Sequence, residues 1–412
     1  MTSSCIYFGT YVLQQDMRVR LPKAILTNLD AEKGNSQFDI FLDKDNNEVI
    51  LKIKTNDDQE SWAFPMRYIG NKTQLLHNIE MVIRNHAEDA KSFCDIFSGT
   101  ASVARHFKKD YEVYSNDLLY FSYCLQRATI ENDSYPTFEK LKKTIGIYNP
   151  IEYFNRMPDE QMESLLQNRR FFQNTYSPNG GRMYMTDSNA LRIDYTRNTV
   201  EDWYKKKLLS DNEYYYLVAS IVEGVPFISN IAGTYGAYSK KWDPRSNKKF
   251  ELVELPIVQN GKQNKCYNED GLELLKHISG DILYIDPPYN SRQYLPNYHV
   301  LETAARYDYP EVRGVTGQRP DNGQKSDFCS KRNVLKAFEE LIANAQFKHI
   351  FLSYSTDGIM QLEDIKRIMQ KYGKPDSFEV TYISYRRFKS NTNSKITVDL
   401  KEMVIYISKE VK

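Results

Sequence analysis

The sequence predicts an α/β protein with a Rossmann-like sheet that is mostly parallel and ends in an antiparallel hairpin. Apolar runs bounded by turn residues alternate with segments of helical periodicity over residues 61–133, and the same alternation returns from about residue 266. The segments Phe378–Ser384 and Met403–Ile407 then predict a terminal hairpin. Together these observations favour a twisted sheet with helices on its faces.

Length leaves room for more than this sheet. The chain has 412 residues, of which 41% are hydrophobic, and a core domain of this type takes roughly 250 residues. Four regions differ in character. Residues 1–60 form a small β-rich unit, residues 61–133 and 263–412 form the two halves of the sheet-containing domain, and residues 134–262 form a polar insertion rich in Tyr, Asn, Lys and Arg.

Individual elements follow from the local pattern. Helices are predicted where apolar residues recur at helical spacing, and strands where they form short runs between turns. The predicted helices are Ala24–Leu29, Lys72–His86, one from about Ala101, Thr199–Leu209, Glu213–Val222, Asn333–Asn344 and Leu362–Tyr372. Besides the terminal hairpin, the predicted strands are Phe38–Leu42, Val49–Ile53, Ser92–Phe97, Tyr111–Ser115, Asp281–Asp286 and His349–Ser353.

Charge, cysteine content and hydropathy argue against a metal-binding, secreted or membrane-spanning protein. The formal net charge of +1 argues neither for nor against nucleic acid, so any basic surface must be local. The five cysteines form no CxxC pair, which indicates free thiols in a reducing cytosol and no metal site. There is neither an apolar run of membrane length nor a signal peptide. We therefore expect a soluble, cytoplasmic protein without membrane contact.

The most specific motif is Asp286-Pro287-Pro288-Tyr289, directly after the apolar strand that ends at Ile285. In open parallel sheets, ligands bind beyond the carboxyl ends of the strands. Two prolines stiffen the loop, which then presents a carboxylate, a carbonyl and an aromatic ring at the sheet edge. The alternative is an ordinary turn of the same composition.

These groups suit methylation of an exocyclic amine, a poor nucleophile because its lone pair is delocalised into the ring. The Asp286 side chain and the Pro287 carbonyl would accept hydrogen bonds from the amine and stabilise positive charge as the methyl group arrives. Tyr289 would stack on a base turned out of the double helix.

A second motif, Asp95–Ser102, leads from a strand through a glycine turn into a helix. Gly99 would let backbone amides approach a ligand closely, although an ordinary strand–helix turn has the same pattern. One strand later, Asp117 stands at a strand end, where an acid binds ribose hydroxyls or caps a helix.

In this order, the motifs resemble those of the Dam-type (alpha group) adenine-N6 DNA methyltransferases. Arg67–Lys72 resembles the N-terminal cofactor motif, Asp95–Ala101 the methionine-binding motif and Asp286–Tyr289 the catalytic tetrapeptide. A long insertion between the cofactor and catalytic motifs is also typical of this group. The resemblance covers about residues 62–410. It implies S-adenosylmethionine as cofactor and double-stranded DNA as partner.

The resemblance also implies roles for individual residues. Those implied to bind the cofactor are Tyr68 and Lys72 at its carboxylate end, Asp95, Phe97 and Gly99 at the methionine, Asp117 at the ribose and Asp270 at the adenine amine. Phe388 would pack beside the target base. Ala101 departs from the family pattern, because many members have a second glycine there. Since alanine adds only a methyl group, we expect cofactor binding to survive.

By the same resemblance, the insertion is the target recognition domain. Within the polar segment Asn230–Tyr238, Asn230 and Tyr235 are expected to contact bases. Basic residues follow within ten positions, with one acid, Asp243, among them: they are Lys240, Lys241, Arg245, Lys248 and Lys249. Such a cluster binds DNA phosphates, or else forms a solvated loop.

The N-terminal unit loosely resembles the swapped-hairpin DNA-binding fold of AbrB and MazE proteins. The pattern comprises Val19–Lys23, Leu26, Leu29 and the strand around Ile50–Lys52. Domains of that fold need a partner chain, so the sequence leaves the oligomeric state open. The alternative is a β-subdomain packed on the catalytic core.

The sequence therefore predicts a site-specific DNA adenine-N6 methyltransferase that flips its target base. We expect it to be the protective half of a restriction–modification system, with a cognate restriction endonuclease as a further partner. Two alternatives stay open. One is an RNA or protein amide N-methyltransferase, against which the long insertion argues. The other is a non-catalytic DNA-binding regulator, against which the intact Asp286–Tyr289 motif argues.

Overall fold

The computed structural model describes residues 68–384 and 401–411, together with the backbone of residues 38–43 and 48–53. The chain divides into two compact units, residues 1–65 and 66–412. In the first unit, β1 (Phe38–Asp43) and β2 (Glu48–Ile53) pair antiparallel, close to the two strands that the sequence predicts. The predicted helix Ala24–Leu29 and most of the AbrB-like pattern lie outside the described residues.

The second unit contains a seven-stranded sheet. Its strands are β3 (Ser92–Asp95), β4 (Glu112–Asn116), β5 (Lys265–Tyr267), β6 (Ser279–Ile285), β7 (Gln346–Ser355), β8 (Glu379–Ser384) and β9 (Lys401–Ser408). They lie in the order β5-β4-β3-β6-β7-β9-β8, and β9 runs antiparallel to both of its neighbours while the other neighbours are parallel. The predicted mostly parallel sheet with an antiparallel C-terminal end is confirmed.

Apolar residues on both faces of the sheet explain why its strands are nearly continuous hydrophobic runs. On β6, Ile282 and Tyr284 pack into the core on one face, and Leu283 and Ile285 pack into the core on the other. A parallel sheet covered by helices on both faces requires this pattern. No helix within the described residues has both the length and the apolar character needed to cross a membrane.

The helices of the second unit alternate with the strands in each half of the sheet and follow one another in the insertion. They are α1 (Leu76–His86), α2 (Ser102–Phe107), α3 (Tyr120–Gln126), α4 (Glu139–Ile145), α5 (Pro150–Arg156), α6 (Asp159–Leu166), α7 (Phe171–Tyr176), α8 (Asp187–Lys205), α9 (Asp211–Gly224), α10 (Gly271–Leu274), α11 (Tyr294–Arg306), α12 (Val334–Asn344) and α13 (Leu362–Tyr372). In the insertion, α9 packs against α3 and α11 as well as α8. The insertion therefore contacts the helix that follows the Asp286–Tyr289 motif.

Helix α8 begins at Asp187, whereas the sequence predicts its start at Thr199. Thr186 caps it by accepting a hydrogen bond from the Asn189 amide at 3.2 Å. Its first turns bury polar side chains, including Arg192 and Asp194. Since the buried face is partly polar, apolar periodicity does not reveal these turns.

Candidate active site

The carboxyl ends of three adjacent parallel strands meet at one edge of the sheet. Asp95 ends β3 and lies opposite both Tyr284 on β6 and Ser115 on β4. Asp117 and Asp286 directly follow the last residues of β4 and β6. Three acids far apart in sequence are thereby brought to one edge, where ligands of such sheets bind.

A pocket of about 1060 Å³, including its solvent-open mouth, lies at this edge. Every residue that the resemblance assigns to the cofactor lines it: Tyr68, Lys72, Asp95, Phe97, Gly99, Asp117 and Asp270. From the tetrapeptide, the lining includes Asp286, Pro288 and Tyr289, while Pro287 is buried.

The Asp286 carboxylate is mostly withdrawn from water, with its side chain 17% exposed. Its Oδ1 lies 3.0 Å from the ammonium nitrogen of Lys72, which also lies 5.9 Å from the centre of the Tyr289 ring. Burial raises the pKa of Asp286 to about 6, the neighbouring Lys72 opposes that rise, and Glu402 adds to it. Asp286 is thus ionised near neutral pH and able to accept hydrogen bonds.

Lys72 has a second carboxylate partner that the sequence does not predict. Its Nζ lies 2.9 Å from Oε1 of Glu402 on β9, and the lysine side chain is 4% exposed. Burial lowers the pKa of Lys72, but the two carboxylates more than compensate and hold it above its ordinary value. The ammonium expected at the cofactor's carboxylate end is therefore already paired with Asp286 and Glu402.

Asp95 is almost completely buried and keeps one oxygen unused. Its Oδ2 accepts a hydrogen bond from the Ser98 hydroxyl at 3.0 Å, whereas no described residue donates one to Oδ1. Burial raises the pKa of Asp95 to about 8, Ser98 opposes this, and the nearby Asp286 adds to it. A buried carboxyl oxygen without a partner calls for a ligand that pairs with it, and a cationic ligand would favour the ionised form of Asp95.

The turn after β3 depends on a close approach and on an unusual backbone conformation. A Cβ on Gly99 would lie 2.8 Å from the Tyr68 ring, so glycine allows this ring to cover the turn. Ala101 has φ 61° and ψ 23°, in the left-handed region where a side chain costs energy. This conformation explains why a glycine suits the position of Ala101.

Asp117 and Asp270 both bind backbone amides at the rim of the pocket. Asp117 accepts from the amides of Gly99 and Leu119, each at 2.8 Å, and thereby joins the loops after β3 and β4. Burial raises its pKa to about 6 against the effect of these hydrogen bonds. Asp270 caps α10 through the Leu272 amide at 2.8 Å.

Tyr68, which lines the same pocket, stacks on a second tyrosine behind it. The rings of Tyr68 and Tyr298 lie 4.7 Å apart at 21°, and the Tyr298 hydroxyl accepts from the Ile69 amide at 2.7 Å. Tyr294, one helical turn before Tyr298 on α11, also lines the pocket. The i, i+4 spacing of these tyrosines shortly after the Asp286–Tyr289 motif is a signal that the sequence analysis missed.

The structure corrects the expected base contacts of Asn230 and Tyr235. Asn230 is fully buried, where its side chain donates to the carbonyls of Met183 and Ser239 and accepts from the Asp243 amide. The Tyr235 side chain is buried with its hydroxyl 3.0 Å from that of Ser229. Because their polar atoms are satisfied inside the protein, these residues hold the segment together rather than face DNA.

The basic cluster is only partly available to a ligand. Lys240, Lys241 and Lys248 are exposed. Arg245 forms a two-pronged ion pair with Asp243, at 3.0 and 2.6 Å, and Lys249 donates to the Asn155 carbonyl. Phe388, the expected neighbour of the target base, lies outside the described residues.

The comparison with known protein families agrees with this site. The model of the D12 class of N6 adenine-specific DNA methyltransferases matches residues 68–368. This chain belongs to that family. The match begins at Tyr68 and includes the Asp95 turn and the Asp286–Tyr289 motif, so it spans nearly all of the predicted site.

Several relatives are similar over most of this chain. Type II methyltransferase M.FokI of Planomicrobium okeanokoites is 48% identical over 349 residues, 84% of this chain and 53% of the relative. Modification methylase StsI of Streptococcus sanguinis is 41% identical over 346 residues, 84% of this chain and 52% of the relative. This chain spans about half the length of these two. Type II methyltransferase M.NlaIII of Neisseria lactamica is 35% identical over 332 residues, 79% of this chain and 93% of the relative.

Proposed function

We propose that this chain transfers a methyl group from S-adenosylmethionine to the N6 amine of adenine at a specific site in duplex DNA. The observation that carries the proposal is the Asp286 carboxylate, held by Lys72 at 3.0 Å in the pocket that all seven expected cofactor residues line. Membership of an adenine-specific DNA methyltransferase family supports the choice of amine and of substrate.

The residues of the pocket fit S-adenosylmethionine. The unpaired, buried Oδ1 of Asp95 suits the cationic ammonium of a methionine moiety, since an ammonium supplies the missing donor. Phe97 and Tyr68 offer aromatic surface in the same pocket, and Asp117 and Asp270 place carboxylates at its rim for hydroxyl and amine groups. These residues would hold the cofactor.

Asp286 acts on the target amine. When bound, S-adenosylmethionine supplies a methyl group on a positively charged sulfur, which keeps the electron pair of the broken bond. The Asp286 carboxylate accepts from an amine hydrogen and directs the nitrogen lone pair out of the ring plane. It stabilises the positive charge on nitrogen as the new carbon–nitrogen bond forms. The nitrogen then loses one proton, for which Asp286 is the adjacent base, and the Pro287 carbonyl is the second acceptor.

We assign phosphate binding to the exposed lysines of the insertion. Lys240, Lys241 and Lys248 are exposed and suit phosphate oxygens. The insertion that carries them packs through α9 on α11, the helix directly after the catalytic motif. We assign target recognition to this insertion, residues 134–262, and a supporting DNA contact to the N-terminal unit.

The relatives' printed names supply the biological setting of the proposal. Several are named type II methyltransferases or modification methylases. We assign this chain the same protective role beside a cognate restriction endonuclease. Sequencing that detects modified bases, on DNA from a host expressing the chain, tests the role, because it reports N6-methyladenine at one recurring site.

The decisive experiment follows tritium from labelled S-adenosylmethionine into duplex DNA, RNA and protein offered separately. We expect label in duplex DNA alone, with the adenine N6 position carrying it. Label in RNA or protein instead would favour the alternative function, an RNA or protein amide N-methyltransferase. The absence of transfer with intact cofactor binding would favour a DNA-binding regulator.

A further inference from the structure

A buried glutamate on the last strand shares the Lys72 ammonium with the catalytic carboxylate of Asp286. Glu402 on β9 is 8% exposed and lies opposite Ser355 on β7 and Ile383 on β8. Its Oε1 accepts from the Ser353 hydroxyl at 2.9 Å and lies 2.9 Å from Nζ of Lys72. A buried carboxylate is costly unless paired, so its place in the sheet needs this ammonium.

Asp286, Lys72 and Glu402 form a chain of two negative groups and one positive group. Lys72 bridges Asp286 at 3.0 Å and Glu402 at 2.9 Å, so one ammonium serves two carboxylates. An isolated Lys72–Asp286 pair would be neutral and would attract a developing positive charge weakly. With Glu402 the cluster carries a net charge of −1, in a site where water screens little.

We propose that Glu402 is a positioning residue for methyl transfer, holding the Lys72 ammonium against Asp286 and keeping the cluster negative while positive charge develops on the amine nitrogen. This inference rests on the proposed function. Ser353 contributes by orienting the glutamate through its hydroxyl. Glu402 does not touch the substrate: it positions Asp286 through Lys72 and contributes its negative charge to the cluster.

The pH dependence of the rate distinguishes this role from a purely structural one. The charged groups that face Asp286 are Lys72, Glu402 and Asp95. The phenols that face it belong to Tyr68, Tyr284 and Tyr294, whose pKa burial raises above the ordinary value, so they stay neutral. Burial raises the pKa of Asp286 to about 6, and its protonation is expected to set the acid limb of kcat/KM, which reports groups of the free enzyme.

Two substitutions should move this acid limb in opposite directions. Glu402→Gln keeps the shape and an acceptor for Lys72 but removes the negative charge, so the limb should shift to lower pH while kcat falls at least tenfold. Lys72→Met removes the positive charge, so the limb should shift to higher pH. The matched control is Glu410→Gln, a highly exposed glutamate just after β9 paired with Lys374 at 3.2 Å, which should change neither quantity.

Thermal unfolding of each variant shows whether it is folded. Where Glu402→Gln or Lys72→Met fails to fold, the double variant removes the Lys72 and Glu402 charges together, so that Asp286 carries the only remaining charge of the three and the net charge of −1 is kept. Its acid limb should lie near that of the wild type, with kcat still reduced. A folded Glu402→Gln variant with unchanged kcat and an unchanged limb would overturn the positioning role. Failure of the wild-type chain to methylate DNA would instead overturn the proposed function.

Discussion

Oδ2 of Asp117 accepts a hydrogen bond from the backbone amide of Gly99 at 2.8 Å. The acid that follows β4 thereby holds the glycine turn that follows β3, while its other oxygen binds Leu119. Because both turns line the pocket, one side chain sets the spacing between two of its walls.

Replacing Asp117 with alanine should weaken binding of S-adenosylmethionine. Removing a charged hydrogen bond costs about 1–3 kcal/mol, and the Gly99 turn is also deprived of its support. Isothermal calorimetry measures the change directly. Glu112→Gln, at the opposite end of β4, is the control and should bind like the wild type. Unchanged affinity in Asp117→Ala would remove this residue from the site.

Asp286→Ala should abolish transfer while leaving cofactor affinity nearly intact. Removing the charged acceptor at the amine should raise the barrier by at least ~3 kcal/mol, roughly a hundredfold in rate. Single-turnover methylation of duplex DNA gives the rate, and calorimetry gives the affinity. The control Asp364→Ala changes an acid on α13 that pairs with Arg367. Activity of Asp286→Ala within tenfold of the wild type would contradict the assigned role.

Asp95→Asn should stabilise the cofactor-free protein, and more so at pH 8 than at pH 5. Burial raises the pKa of Asp95 from 3.8 to about 8, so the unfolded chain ionises this group at lower pH than the folded chain does. Stability contributed by the protonated carboxyl is therefore lost as the pH rises from about 4 to about 8. Asparagine does not ionise, so the variant keeps its stability over this pH range.

Calorimetric unfolding at several pH values tests the Asp95 prediction. The same variant should bind S-adenosylmethionine more weakly, because a neutral amide replaces the acceptor of the ammonium. A difference in Tm between variant and wild type that stays constant across pH would show that Asp95 is not a strained, ionisable group.

Ala101→Gly should raise the free energy of unfolding by about 1 kcal/mol or less. A left-handed conformation costs a residue with a side chain about 1–2 kcal/mol, and glycine avoids this cost. Glycine is also more flexible in the unfolded chain, which lowers the free energy of unfolding by about 0.5–1 kcal/mol and offsets part of the gain. Ala101→Val, at the same buried position, should be strongly destabilising. Urea unfolding measures the stability of both variants against the wild type. A glycine variant less stable than the wild type would show that the backbone at Ala101 is not strained.

Replacing Lys240 and Lys241 with alanine should weaken binding to cognate and mismatched duplexes alike. The slope of log affinity against log salt should fall by roughly one for each phosphate that the variant no longer neutralises. Arg245→Ala is the control, because its guanidinium is already paired with Asp243 and should affect the slope less. An unchanged slope in the double lysine variant would mean that the cluster is a solvated loop.

The sequence alone determined the fold class and most of the site. Asp95, Asp117 and Asp286 stand directly at strand ends, and strand ends are visible locally as apolar runs that stop at turns. A parallel sheet necessarily gathers such ends at one edge. Asp95, Asp117 and Asp286 line one pocket for this reason.

The tertiary structure alone decided what depends on contacts between distant segments. Glu402 meets Lys72 only because β9 enters the sheet beside β7, and no local pattern marks a glutamate within a strand as a partner of the catalytic motif. Burial of Asn230 depends likewise on Met183 and Ser239, which surround it in the folded chain. Local sequence shows which groups a residue carries, whereas packing decides whether they face a ligand or the protein itself.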